Sequence, residues 1–292
     1  MIEGEALLVM PGAYDALSAR LIERAGFQAL VAGGYAAAGA LLGQADQGQS
    51  NMRDYADHYA RIVAAVDIPV YVDADTGFGG VHNVVQAVRA FEAAGVAGLF
   101  ISDQVFPNRC GYLPGKQVVT AEQMLARLNA ALDARRDTSL FIGARTDSLS
   151  LDGIDAAIER CQCFMDAGAD MAKPQGADRA EEIARVIREV PGPHFATLSQ
   201  AAGDHPTGLA PLQALGVAAV TLPSLALFAA AEGVRQVLET LHSSGDLGAV
   251  TNRLMPLDTY YDLVGLRAQT AREEAYDVAA RRIMEARRGR PG

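Results

Sequence analysis

The chain has 292 residues and a formal net charge of −10; half of its residues are hydrophobic and 21% are charged. That length suits one α/β barrel, and the composition supplies an extended core and excludes a disordered chain. The acidic balance excludes nonspecific nucleic-acid binding, which needs a cationic surface, though one arginine or a metal can reverse the field inside a single cleft.

Short apolar runs alternate with helical spacing along the whole chain. The expected strands are Ala6–Met10, Ala29–Ala32, Val70–Val72, Gly98–Ile101, Leu140–Gly143, Asp170–Ala172, Phe195–Leu198 and Ala219–Leu222. A helix capped by Asp15 follows the first run, carrying Leu17, Leu21 and Ile22 at helical spacing. Further helices are expected over Asp54–Val66, Val84–Ala94, Ala121–Arg135, Asp155–Ala167, Arg179–Val190 and Pro211–Leu215. Gly26, Gly95, Gly168 and Gly216 stand where each of four helices must turn back into a strand, a left-handed position. Eight such units predict an α/β fold, a (β/α)8 TIM barrel, and no GxGxxG or GxxxxGK[ST] supports the rival doubly wound sheet. Helices at Leu225–His242, Pro256–Leu263 and Glu273–Arg288 exceed what the barrel needs. With no Pro/Gly/Ser-rich linker, residues 1–292 read as one domain, with 243–292 a C-terminal helical extension.

Three cysteines, Cys110, Cys161 and Cys163, make no disulfide framework, and no apolar run reaches 18 residues. With no leader-like start, the expectation is a cytoplasmic protein that neither enters a membrane nor binds nucleic acid. Cys161 and Cys163 read as helix packing, His58 and His82 as surface groups, and Arg135-Arg136 and Arg287-Arg288 as solvated helix ends.

In a barrel the chemistry sits at the C-terminal strand ends. Asp73 and Asp75 follow the third strand; strand alternation sends both to one side, where two close carboxylates repel unless protonated or bridged by a cation. Hard oxygen ligands favour Mg²⁺, or Mn²⁺, over Zn²⁺. A strand-end capping or salt-bridge cluster is the structural alternative. Arg145, ending the fifth strand, suits a carboxylate, unless it is spent on Asp147 or Asp103. The loop Phe106–Lys116 holds Cys110 beside Arg109, whose guanidinium would favour a thiolate; an incidental cysteine is the alternative. Asp204-His205-Pro206 lies on the loop after the seventh strand, within reach of a substrate there.

Four segments in order, Pro11–Arg20, Asp73–Gly79, Asp103–Pro107 and Ala144–Asp147, resemble the isocitrate lyase / phosphoenolpyruvate mutase superfamily, most of all its 2-methylisocitrate lyase-like members. The resemblance runs from about Leu8 to beyond Leu222. It implies a Mg²⁺-dependent barrel acting on a small anionic 2-oxo or 2-hydroxy acid. Asp75 would hold the metal directly, with Asp73 and Asp46 acting through water. Arg145 and the backbone at Gly33 and Gly34 would meet the enolate oxygens, with Tyr35 lining the pocket. The loop cysteine, Cys110, would be the acid–base residue. The family also exchanges its last barrel helix between partners, which implies a homodimer or homotetramer and gives the surplus helices a purpose.

The chain departs from that pattern in several places. Asn108-Arg109-Cys110-Gly111-Tyr112 keeps the loop's cysteine and glycine but not its first lysine or its histidine. Ser102 and Gln175 stand where family carboxylates are expected, Lys173 is a gained cation, and Ser199 takes the asparagine's place after the seventh strand. The expected reaction is carbon–carbon cleavage of a 2-hydroxy polycarboxylate, 2-methylisocitrate-like or a substituted malate. Arg109, Gly111, Tyr112, Lys173 and Ser199 would help to bind it. Decarboxylation of an oxaloacetate-like acid, phosphonomutase chemistry and a catalytically impaired metabolite-binding relative are the alternatives.

Overall fold

The computed structural model describes residues 2, 4, 6–199 and 208–288, and the chain divides into two compact units, Met1–Ala231 and Glu232–Gly292. Asp204-His205-Pro206 lies outside the described residues.

The first unit runs β1 (Leu8–Pro11), α1 (Ala16–Arg24), β2 (Leu30–Ala32), α2 (Gly34–Leu42), α3 (Met52–Val63), β3 (Val70–Asp73), α4 (Val81–Ala93) and β4 (Gly98–Ser102). It continues with α5 (Ala121–Ala134), β5 (Phe141–Thr146), α6 (Leu149–Asp166), β6 (Met171–Pro174), α7 (Ala180–Glu189), β7 (Phe195–Thr197), α8 (Leu209–Ala214) and β8 (Ala219–Leu222). Helix α9 (Leu225–Ser244) begins in the first unit and ends in the second, which contains α10 (Leu257–Leu263) and α11 (Leu266–Arg288). Among the described residues no helix is long and apolar enough to cross a membrane.

Every strand pairing is parallel, in the orders β7-β8-β1 and β2-β3-β4-β5-β6. A bridge between Gly12 and Val31 links the two sets, with Ala13 N donating to Val31 O at 2.9 Å. The fold is therefore α/β with a parallel core sheet and extra C-terminal helices. Each expected strand is present within three residues at either end, because parallel strands buried on both faces are continuous apolar runs.

Local chemistry accounts for the helix ends. Asp15 Oδ1 accepts from Ser18 N at 2.7 Å, and the Ser18 side chain returns the bond, a capping box. Gly26, Gly95, Gly168 and Gly216 all take the left-handed conformation expected of them.

Helix α2 is absent from the sequence expectation because Gly34–Leu42 is small and apolar throughout and shows no polar face. Helix α6 starts six residues before the expected Asp155, broken at Gly153 (φ 84°). His58 is buried rather than on the surface, and Arg135 is not a solvated end: its guanidinium pairs with Asp170 at 2.8 Å.

The main core lies between sheet and helices, with Leu99, Ile101, Met124, Leu128, Ile142 and Phe164 fully buried. A second cluster, with Tyr71, Phe100, Phe141 and Phe195, fills the space beneath the strand ends. Glycines make room for it. A Cβ on Gly143 would stand 2.7 Å from Tyr71 Oη, and one on Gly98 would stand 2.8 Å from Phe141 Cβ.

Candidate active site

The sheet register sets polar side chains side by side at the C-terminal strand ends: Asp73 opposite Phe100, Ser102 opposite Arg145, and Arg145 opposite Lys173. Above them opens a pocket of about 80 Å³, several times the ~10–15 Å³ that one water requires. The residues expected from the sequence to bind metal or substrate or to act in catalysis line it, Asp204-His205-Pro206 lying outside the described residues: Gly33, Gly34, Tyr35, Asp46, Asp73, Asp75, Arg109, Cys110, Gly111, Tyr112, Arg145, Lys173 and Ser199.

Asp75 reaches the pocket by a route that strand alternation does not describe. Strand β3 stops at Asp73, and Asp75 sits at φ 50°, in the left-handed region that few non-glycine residues occupy. Asp75 N donates to Asp73 Oδ1 at 2.8 Å, Asp75 O accepts from Ser102 N, and the Tyr59 hydroxyl donates to Asp73 O at 2.9 Å. Such strain collects at functional sites.

Burial and mutual repulsion push the carboxyls of Asp46 and, further, Asp75 above the usual range; burial raises Asp73 while Arg145 opposes it. A point where a Gly34 side-chain carbon would stand lies 3.2 Å from Asp75 Oδ1 and 3.7 Å from Asp46 Oδ2. This glycine-cleared cradle of hard oxygens fits a small divalent cation. No closed group of three acidic, histidine or cysteine ligands forms among the described residues.

Arg145 Nε donates to Asp147 Oδ2 at 2.8 Å, and its Nη1 lies 3.8 Å from Asp73 Oδ2. The Asp147 pairing considered from sequence is thus real, yet the guanidinium still lines the pocket. Asp103 is taken up elsewhere, accepting from Thr146 Oγ1, Asp147 N and Arg160.

The loop between β4 and α5 lies over the aspartates. Asn108 Nδ2 donates to Asp75 Oδ1 at 2.8 Å, Cys110 N donates to Asp46 O at 3.3 Å, and Lys116 Nζ reaches Gly111 O and Asp147. A side chain on Gly111 would meet Gln175 Cγ at 2.8 Å, so Gln175 would have to move to admit one. Arg109 does not activate Cys110 as its neighbourhood in sequence suggests: its guanidinium turns to Pro114 O. Burial pushes the Cys110 thiol up, with Arg145 a partial counterweight, and burial likewise holds the Tyr112 phenol protonated.

Sequence reasoning gave no role to Asn108, Lys116, Phe100, Thr197 or Thr221. Asn108 and Lys116 carried one usable signal, as polar residues in a loop already marked as unusual.

The family model for phosphoenolpyruvate phosphomutase matches residues 1–242. The chain belongs to the phosphoenolpyruvate mutase / isocitrate lyase superfamily. It is 34% identical to a 2,3-dimethylmalate lyase of Eubacterium barkeri over 91% of this chain and 92% of that one. It is 35% identical to a 2-methylisocitrate lyase of Aeropyrum pernix, covering 91% and 85% of the respective chains. Among solved structures, an oxaloacetate acetylhydrolase in complex with the inhibitor 3,3-difluorooxalacetate superposes with a TM-score of 0.88 at 28% identity, over 94% of this chain and 93% of that one. Superfamily membership implies a divalent-metal-dependent mechanism.

Proposed function

We propose that the pocket splits a carbon–carbon bond of a 2-hydroxy polycarboxylate, of the 2-methylisocitrate or substituted-malate kind, with Cys110 delivering a proton to the carbon released. The enzyme is a carbon–carbon lyase for a small 2-hydroxy or 2-oxo polycarboxylate. One observation carries the finer reading: a loop holding a protonated thiol is fastened across a pocket that also contains Arg145 and the aspartate cradle.

Asp75 would hold Mg²⁺ or Mn²⁺, with Asp73 and Asp46 acting through water. When bound, that cation supplies Lewis-acid stabilisation of developing oxygen charge. Arg145, oriented by Asp147, directs its remaining N–H groups at a carboxylate or enolate oxygen. Backbone at Gly33 and Gly34, together with Tyr35, would position the 2-oxo end. Arg109, Gly111, Tyr112, Lys173 and Ser199 line the remainder, and the closed loop excludes water, strengthening each of these interactions.

The strands lie in the cyclic order of a closed (β/α)8 barrel, and Lys173 Nζ donates to Thr197 Oγ1 at 2.6 Å where β6 and β7 would meet. Tyr276, Ile283 and Met284 on α11 are exposed. Apolar side chains on a surplus helix support exchange between subunits in a homodimer or homotetramer, which sedimentation would test. Three free thiols fit a reducing, cytoplasmic setting.

The deciding experiment is an assay of the Mg²⁺-loaded enzyme against 2-hydroxy tricarboxylates, substituted malates and oxaloacetate, with Cys110→Ser alongside. Pyruvate or glyoxylate formed by the parent and lost in the variant is the expected result. CO₂ release from oxaloacetate, indifferent to the cysteine, would replace this reading with decarboxylation.

A further inference from the structure

The pocket has two chemically different walls. Asp46, Asp73 and Asp75 form one. The other, from β6, β7 and β8, carries Lys173 and a run of hydroxyls. Lys173 Nζ donates to Thr197 Oγ1 at 2.6 Å, and Thr197 Oγ1 lies 2.9 Å from Thr221 Oγ1. Ser199 and Ser224 face each other at 3.4 Å along the same side. Lys173 Nζ and Arg145 Cζ each lie 5.5 Å from the centre of the Phe100 ring, so two cations border one apolar surface.

Lys173 is buried, and among the described residues it makes no ion pair, whereas Lys116 and Arg145 both pair with Asp147. Asp73, Asp147 and Asp178 attract Lys173 only from beyond ion-pair distance, burial outweighs them, and an anion supplied by a ligand in contact would offset that cost. Burial and the nearby Arg145 lower the Lys173 amine to about 8, so a substantial fraction stays charged near neutrality and a bound carboxylate would raise it further.

We propose that Lys173, with the Thr197–Thr221 hydroxyl pair, forms a second carboxylate subsite, and that the substrate is a 2-hydroxy dicarboxylate rather than a tricarboxylate. This rests on the lyase reading of the same pocket. The divalent cation that the acidic wall would hold, together with Arg145, would take the carboxylate next to the 2-oxygen, and Lys173 would take the distal one. The cations lining the pocket are Arg109, Arg145 and Lys173, and Arg109 is turned to Pro114 O. Residues 200–207 contain neither lysine nor arginine. Besides the metal cradle, the pocket thus offers two side-chain cations, Arg145 beside the cradle and Lys173 across from it, an arrangement that suits the two ends of a diacid.

The test is calorimetric binding to the full Mg²⁺-loaded protein of oxalate, malate and 2-methylmalate, the 4-amide of malate, and a methylisocitrate-type tricarboxylate. The diacids should bind at least tenfold tighter than both the amide and the tricarboxylate. Lys173→Met should weaken the diacids at least tenfold while changing oxalate less than threefold. Equal affinity for malate and its amide, or an unchanged diacid affinity in the variant, would overturn the subsite. So would a parallel loss of oxalate and diacid, which marks a structural lysine. Should the variant not fold, the acid–amide comparison in the parent decides alone. Failure of oxalate to bind the parent would instead remove the underlying metal-pocket reading, and the subsite with it.

Discussion

Asn108 gives its side-chain amide to Asp75 Oδ1 at 2.8 Å, so the loop before α5 is fastened to the carboxylate that burial and its two acidic neighbours push highest. That bond is among the few influences favouring the charged form of Asp75, the others being charge effects such as that of Arg145. In Asn108→Ala the Asp75 carboxyl should hold its proton to still higher pH. Mn²⁺ titration followed by electron paramagnetic resonance should then show a larger loss of affinity at pH 6 than at pH 8. Equal losses at the two pH values would mean that the amide acts only as a loop tether.

Gly34→Ala probes the cradle directly. The added carbon would stand 3.2 Å from Asp75 Oδ1 and 3.1 Å from Tyr55 Oη, while alanine suits the helix as well as glycine or better. Cation affinity should fall at least tenfold with the melting temperature nearly unchanged. Unchanged affinity would place the cation elsewhere.

Cys110 should be a thiol, not a thiolate, at neutral pH, because burial raises it and Arg145 offsets this only in part. Iodoacetamide should alkylate it slowly at pH 7, faster as pH climbs past the ordinary thiol value of about 8.5. Cys110→Ser should cut lyase turnover by roughly 10²–10⁴ and leave oxalate binding intact. Rapid alkylation at pH 7 would contradict the proton-donor role.

Asp147 is fully buried and pairs with both Arg145 and Lys116. Asp147→Asn would leave two cations short of a counter-charge, a change that typically destabilises by about 3–5 kcal/mol. Urea denaturation should show a midpoint shift of that order. A loss under 1 kcal/mol would indicate that solvent already screens the cluster.

Metal and pH should act on stability together. Asp46 and Asp75 have folded-state values above their unfolded ones. Between the two values the native state holds more protons than the unfolded chain, so stability of the metal-free protein is greatest at low pH from this source and falls as pH rises through the raised values. Cation binding requires the deprotonated forms. The rise in melting temperature on adding Mg²⁺ should grow from pH 5 to pH 8, and a constant rise would show that these carboxyls are not the ligands.

The sequence disclosed what periodicity and motif order encode. Runs such as Val70–Val72 and Ala219–Leu222 mark strands because both faces of a parallel sheet are apolar, and the strand-end residues Asp73, Arg145 and Lys173 then fall at one end of the sheet. Contacts set by loop path were not legible. Nothing local to Asn108 says that it meets Asp75, 33 residues earlier, and Arg109 beside Cys110 suggested an influence that its outward turn removes. Asp75 joined the site as expected, but through a left-handed turn that a strand pattern cannot convey. His58 shows the opposite failure: a polar residue on an amphipathic helix can still face inward.

The close fit of Tyr71 over Gly143, and of Phe141 over Gly98, constrains how such a molecule can change over generations. At Gly143 a side chain would require both Tyr71 and Met171 to be trimmed in the same step, and at Gly98 it would meet the Phe141 Cβ and backbone carbonyl, which trimming cannot remove, so the floor resists single substitutions. Residues at the rim carry no such linkage. Altered appetite for acids is therefore reached most cheaply by exchanges at the mouth, above a base that stays as it is.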